Sequence, residues 1–286
     1  MKNIKYFFQY ILIIFLLSIF KLIGFKNAIK ISSLILSIIG PLFRSNKLIH
    51  SNLDIALPHL KDSEKENITK NMWRNYGKIL ADYVFIKDFR NSKLSQHIKI
   101  QGQEILDKIK RENEPVIFIS GHFNNFELMA MHIDKSGIDL AAIYRPLNNI
   151  FINKIMENIR KNYICKKQIK KGIAGTKLLL KYFKEGTSIA LMIDQRVSQG
   201  IKCNFFSKKA STTTIPAQFI KKFKCKVIPV YIERNNNDDF ELTFESPINF
   251  TDKDTINSIT EDLNKLLEKM ILRNPEQWIW THGRWK

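Results

Sequence analysis

Residues 115–120, Pro-Val-Ile-Phe-Ile-Ser, form an apolar run of strand length with none of the alternation of a strand that faces water on one side. Such a strand is buried on both faces, so the fold needs a sheet with helices on either side. The rest of the chain supplies the parts. Residues 188–193 are a second strand of the buried type, 140–144 and 227–232 are strand candidates, and 97–101 and 240–245 alternate as half-buried strands do. Helical spacing is expected over 104–110, 126–135, 150–162, 176–184, 213–223 and 256–272. A further helix over 61–87 carries Ile68, Met72, Tyr76, Ile79, Leu80 and Tyr83 at three- and four-residue steps, with Ser63 and Glu66 as a capping box at its start. Residues 235–239 read as a hairpin turn. Strands that alternate with helices predict an α/β fold with a largely parallel sheet covered on both faces.

The N-terminus adds a membrane segment. Between Tyr6 and Phe20 the only strongly polar residue is Gln9, and the apolar character resumes after Lys21 as far as Phe25. A helix of about 15–20 such residues is about 22–30 Å long, close to the thickness of a hydrocarbon core. Leu17-Ser18-Ile19-Phe20-Lys21 offers no small-residue cleavage site, which favours an anchor that is retained over a signal peptide; a buried core helix is the alternative. The second apolar stretch, 29–43, is broken by Lys30, Ser32, Ser33 and Ser37 and reads as an interfacial helix, not a second span. The expected division is therefore anchor and interfacial helix over 1–45 and the α/β domain over 46–286. Lys21, Lys26, Lys30, Arg44 and Lys47 outnumber Lys2, Lys5 and the amino group, which places that domain in the cytoplasm.

Forty-six Lys and Arg against 27 Asp and Glu give a net charge of +19. That surplus suits anionic bilayers, phosphorylated ligands, acidic carrier proteins or nucleic acid, unless it reflects only the Ile, Lys and Asn bias of the whole chain. No helix-turn-helix, zinc finger or aromatic RNA-binding signature supports nucleic acid. Cys165, Cys203 and Cys225 lack disulfide or zinc spacing and read as reduced thiols, with no metal site.

Chemistry concentrates in Ser120-Gly121-His122-Phe123-Asn124-Asn125-Phe126-Glu127, at the carboxyl end of the first buried strand, where open α/β sheets gather their ligands. A His there can serve as a general base, and a carboxylate on its other ring nitrogen would fix the tautomer. His122 in the turn and Glu127 in the first helical turn permit that pairing. Equally, Asn124 and Glu127 form a capping box on paper, which leaves His122 as a loop residue.

The segment resembles the H-x4-D/E signature of glycerolipid-type acyltransferases and, more narrowly, the G-H-F-x-N-W-E element of the lauroyl/myristoyl acyltransferases of lipid A synthesis, with Phe126 in the Trp slot. The likeness extends over the chain. Asn52-Leu53 with Ala56 and Pro58 is similar to N-L-x-x-x-F-P, and Tyr144-Arg145-Pro146-Leu147-Asn148-Asn149 to Y-R-P-x-x-N. Asp194-Gln195 with Gly200, Phe205-Phe206, Ala210 and Thr212-Thr213 is similar to the D-Q stretch, with Ser207 for a common Gly. The last twelve residues, from Pro275, resemble P-x-Q-Y-x-W-x-H-x-R-W-K. Phe183-Lys184-Glu185-Gly186-Thr187 echoes a phosphate-binding F-P-E-G-T, but it precedes the strand that such a loop should follow.

The resemblance implies a glycerolipid-acyltransferase-like fold in the bacterial inner membrane with its catalytic domain facing the cytoplasm. It implies transfer of an acyl chain from acyl carrier protein to a hydroxyl of a phosphorylated glycolipid acceptor, without a cofactor or metal. His122 would be the general base oriented by Glu127; Arg145, Asn148, Asp194 and Gln195 would bind substrate. Arg145 would face a lipid phosphate or pair with Asp194, unless it is a surface arginine and Asp194 a loop cap. His282, Arg284 and the C-terminal tryptophans would close the core and meet the membrane interface, or touch ligand. A lysophospholipid or glycerol-phosphate acyltransferase and a non-catalytic basic membrane-binding protein are the competing readings.

Overall fold

The computed structural model describes residues 2–286, so the amino group counted among the flanking charges lies outside the described residues. Five helices come first: α1 (Lys2–Ile23), α2 (Phe25–Phe43), α3 (Asn46–Ala56), α4 (Asp62–Asp82) and α5 (Ile86–Asn91). Then strands and helices alternate: β1 (Ile98–Gln101), α6 (Gln103–Glu112), β2 (Ile117–Ser120), α7 (Glu127–Lys135), β3 (Leu140–Tyr144), α8 (Ile150–Ile159), β4 (Lys167–Lys170), α9 (Ile173–Lys184) and β5 (Ser188–Met192). A hairpin of β6 (Ile201–Phe205) and β7 (Lys208–Thr212) precedes α10 (Ile215–Phe223), β8 (Val227–Arg234), β9 (Phe240–Phe244) and α11 (Ile256–Arg273).

Seven strands form one sheet in the order β1-β9-β8-β2-β5-β3-β4. Every pairing is parallel except β8 with β9, whose antiparallel register follows from the short turn at residues 235–239. All four residues of β2 are buried, as the unbroken apolar run requires. At about 1.5–3 kcal/mol for each large side chain taken out of water, Ile117, Phe118 and Ile119 alone anchor the centre of the sheet firmly. The expected α/β fold with helices over a mostly parallel sheet is the one observed.

Several details differ. The helix expected over 61–87 stops at Asp82, where a 3-10 turn, Tyr83–Phe85, redirects the chain. Its first turn is closed by Glu64, whose carboxylate accepts the Lys61 N–H at 2.7 Å; Ser63 lies inside the helix and Glu66 faces His50. Helix α9 starts three residues before the expected Thr176, because Gly172, at φ 142°, turns the chain out of β4. Strand β4 and the β6–β7 hairpin have no counterpart in the sequence reading.

Helix α2 has two faces. Its small inner residues Ala28, Ser32, Ser33 and Gly40 are buried, while Ile31, Leu34, Ile38, Leu42 and Phe43 are exposed. The inner face lies against α4 so closely that a Cβ on Gly77 would come within 2.2 Å of the Ser32 carbonyl oxygen. Ser32 Oγ donates to the Gly77 carbonyl at 2.6 Å and completes this contact. Both α1 and α2 are long and apolar enough to cross a membrane by length and composition.

Candidate active site

Strands β2 and β5 run side by side with Ser120 opposite Met192. Two residues beyond that pair stand His122 and Asp194, so the parallel register itself brings them together. His122 Nδ1 lies 2.7 Å from Asp194 Oδ1. The His122 backbone N–H and Trp278 Nε1 donate to Asp194 Oδ2 at 2.6 and 2.9 Å. A carboxylate only accepts, so the proton of this contact sits on Nδ1, and Nε2 is left with its lone pair. Gln195 Nε2 is 3.4 Å from that Nε2.

Asp194 is fully buried. Burial pushes its pKa up, but the His122 charge and the three hydrogen bonds outweigh this and hold it below the ordinary 3.8. For His122, burial lowers the pKa, and the Asp194 charge and hydrogen bond overcome it, with Glu127 adding to the rise above 6.5. The pair is therefore a strong candidate for taking up and releasing a proton.

Glu127 does not occupy the position the sequence suggested. Its Oε1 accepts from Tyr83 Oη at 3.0 Å and from Arg160 Nε at 2.7 Å, with Arg160 Nη2 at 2.6 Å. The ring nitrogen of His122 that Glu127 was expected to hold belongs to Asp194. The reason is the backbone: Asn124 adopts φ 39°, a left-handed turn between the strand and α7, so the two side chains leave in different directions. Asn124 is not a helix cap either. It is held by Asn75 Oδ1 and Gln277 Oε1, each 2.7 Å from its amide nitrogen, and α7 starts from Phe126 without a side-chain cap. Beneath it, Asn125 donates to Asp82, which is ion-paired with the equally buried Arg234. Phe126 packs edge-on against the His122 ring at 4.8 Å between centroids.

Of these groups, His122, Phe126, Glu127, Arg160 and Gln195 line a cleft of about 960 Å³. Its apolar lining includes Ala142, Ile143, Ala190, Leu191 and Met192 from β3 and β5. Its charged lining is Arg44, Arg145, Arg160, Lys171 and Arg196, against Glu127 as the only carboxylate among the described residues there. Arg145 is exposed and makes no ion pair with Asp194; β3 does neighbour β5, but Asp194 is already enclosed by its three donors. Asn148 and Gln195 also line the cleft. Asn149, beside Asn148, instead caps α8, its Oδ1 accepting from the N–H groups of Phe151 and Ile152.

The C-terminal residues separate by role. Trp278 and Trp280 are buried in the core, so neither meets a membrane interface. Arg284 is wholly buried and donates to the Ser211 carbonyl at 2.8 Å and Thr212 Oγ1 at 2.7 Å. His282 faces the cleft and its Nε2 accepts the Arg196 N–H at 2.9 Å, in keeping with a pKa that burial pushes below 6.5. Sequence reasoning missed Arg160, 33 residues beyond its partner in a π-helical turn, Arg160–Ile164. No spacing rule pairs an acid and a base that far apart.

Comparison with known proteins places the whole chain in one family. The profile of the family described as bacterial lipid A biosynthesis acyltransferase matches residues 1–286. A lipid A biosynthesis acyltransferase of Haemophilus influenzae is 22% identical over 248 residues, 85% of this chain and 78% of that protein. The lipid A biosynthesis lauroyltransferase and palmitoleoyltransferase of Escherichia coli are 20% and 23% identical, each over 85% of this chain and 79% of their own length. With the profile matched from end to end, and with a histidine–carboxylate pair opening on a cation-lined cleft, the chain belongs to the bacterial lipid A biosynthesis acyltransferase family.

Proposed function

We propose that this protein transfers a fatty-acyl chain from acyl carrier protein to a hydroxyl of a phosphorylated lipid A precursor, with His122 as general base. The observation that carries the reading is the His122–Asp194 pair, with the Nε2 side of the ring beside Gln195 on a cleft lined by apolar residues and by five cationic side chains. The acceptor hydroxyl gives its proton to Nε2 as its oxygen attacks the thioester carbonyl carbon. The C–S bond then breaks, and the leaving sulfur takes the proton from the imidazolium. Asp194 holds Nδ1–H and stabilises the imidazolium between the two steps. No Ser or Cys nucleophile is needed. Glu127 fixes Arg160, a permanent cation on the wall of the same cleft, where it can meet the oxyanion or an acceptor phosphate. Arg145, Asn148 and Gln195, which line the cleft, bind the acceptor in this reading. Residues 1–45 hold the enzyme to the bacterial inner membrane, with residues 46–286 on the cytoplasmic side.

The test is an assay of the purified protein with acyl carrier protein thioesters of several chain lengths and two acceptors, a bisphosphorylated lipid A precursor and a lysophospholipid. Transfer to the first and not the second is expected. Preference for the lysophospholipid would reassign the substrate and leave the base in place.

A further inference from the structure

Helix α1 has two faces. Ile4, Phe8, Leu12, Phe15 and Leu22 stand out in one exposed stripe, whereas Tyr6, Tyr10, Ile13, Leu17 and Phe20 turn inward. The inward face is fastened at both ends. Asn149 Nδ2 donates to the Tyr6 carbonyl at 2.8 Å, and the rings of Phe7 and Tyr10 lie 5.6 and 5.9 Å from that of Phe151. At the other end Phe20 is buried and Lys21 pairs with Asp88 at 2.7 Å. From Tyr6 to Lys21 is about 22 Å of helix lying along the body.

That attachment conflicts with a crossing. A spanning helix would carry whatever is fastened to it into about 30 Å of hydrocarbon, where polar groups without partners are strongly disfavoured. What is fastened here includes, beside Phe151 and the exposed Ile150, many polar groups: Asn149, Asn153, Glu157 and the exposed Lys154 at one end, Asp88 and the exposed Lys87 at the other. Helix α2 repeats the pattern, with its inner face on α4 and an outer face of exposed Ile31, Leu34, Ile38, Leu42 and Phe43. Residues next to both helices line the cleft. Arg44, directly after Phe43, lines it, and so does the exposed Leu147, two residues before the Asn149 that holds α1.

We propose that α1 does not cross the bilayer: α1 and α2 sink their outer faces together into a single leaflet, and the acceptor lipid enters the cleft sideways from that leaflet. The proposal rests on the membrane association proposed above and assigns its geometry. The occupant of the apolar surface is an anionic phospholipid leaflet. Residues 1–53 contain seven Lys or Arg and no Asp or Glu, which matches anionic headgroups around an apolar wedge. A lipid arriving this way keeps its chains in the leaflet while Arg44 and Arg145 receive its phosphate.

Cysteine accessibility decides it. In a full-length protein with Cys225→Ser, Asn3→Cys and Lys253→Cys are each treated with a membrane-impermeant maleimide in intact spheroplasts and after lysis. Both sites should react only after lysis. Labelling of Asn3→Cys in intact spheroplasts while Lys253→Cys stays protected would overturn the proposal. Reaction of both in intact spheroplasts would support one-leaflet insertion and instead refute the cytoplasmic placement. Depth is read independently with Phe15→Trp in vesicles of phosphatidylglycerol and brominated phosphatidylcholine. Bromines near the headgroup should quench more strongly than bromines at the midplane. Stronger midplane quenching, or none at either depth because the stripe meets a second copy of the chain, would also overturn it. Neither readout depends on turnover, so each stands whether or not the acyl-transfer assay succeeds.

Discussion

Two buried ion pairs grip the ends of the segment from His122 to Glu127, and they differ in what their protons can do. His122–Asp194 joins a wholly buried carboxylate to a ring that keeps one nitrogen on the cleft. Glu127–Arg160 joins two nearly buried groups; burial opposes the arginine's charge, yet Glu127 and the Tyr83 hydroxyl raise its pKa above the ordinary guanidinium value. The first pair can exchange a proton near neutral pH, and the second cannot. One short loop thus presents a movable proton and a fixed charge to the same cleft.

The comparison breaks most visibly at His122. His122→Ala should reduce acyl transfer by at least about 10³-fold, within the range of general-base catalysis, with an unchanged circular dichroism spectrum. Near-normal turnover in the folded variant would end the mechanism. Asp194→Asn should cost roughly 10²–10³-fold and move the acid limb of the rate profile to lower pH, since it removes the charge that raises the His122 pKa. A pH–rate series on both proteins measures this; an unmoved limb would mean that another group sets it.

Stability should follow the opposite trend from rate in the wild type. The lowered Asp194 pKa contributes stability above about 3.8 that is lost as pH falls through the folded value. The raised His122 pKa contributes below about 6.5 and is lost as pH rises through its folded value. Denaturant titrations should therefore find the pair's contribution fully present between about pH 4 and 6.5 and declining above, while the rate climbs as His122 deprotonates. In Asp194→Asn that decline should disappear.

The second pair is sharpened by a double variant. Glu127→Ala leaves Arg160 buried without its partner and should destabilise the fold by about 3–5 kcal/mol. Glu127→Gln with Arg160→Met should recover most of that stability and still be about 10²-fold slower, because the fixed charge is gone. Full activity in the double variant would make the pair purely structural. The smallest effect belongs to the rim. Arg145→Ala should raise KM for the phosphorylated acceptor about threefold at every salt concentration, while added salt mainly raises KM for acyl carrier protein. Michaelis constants across a salt series separate the two.

The layout of the sheet was legible because its central strands are unbroken apolar runs, and the alternation of such runs with helices leaves little choice of fold. His122 was legible for a similar reason: a polar, titratable residue just past a buried strand has no packing role. Strand β4, Lys-Gln-Ile-Lys, was not, since four residues with one apolar side chain carry no period and become a strand only by pairing with β3. The β6–β7 hairpin turns through Phe206 and Ser207, both at positive φ, which no Gly or Asn announces.

The sequence by itself determined the α/β class, the apolar N-terminal helices, the cationic balance and the residues that can do chemistry, because each depends on side-chain type and local spacing. Only the tertiary structure decided the partners. Asp194 meets His122 because β5 lies beside β2 in a register that aligns residues 72 positions apart, and Glu127 meets Arg160 because a left-handed turn at Asn124 swings it away. Contacts of that kind are set by strand order and backbone direction, which no window of local sequence contains.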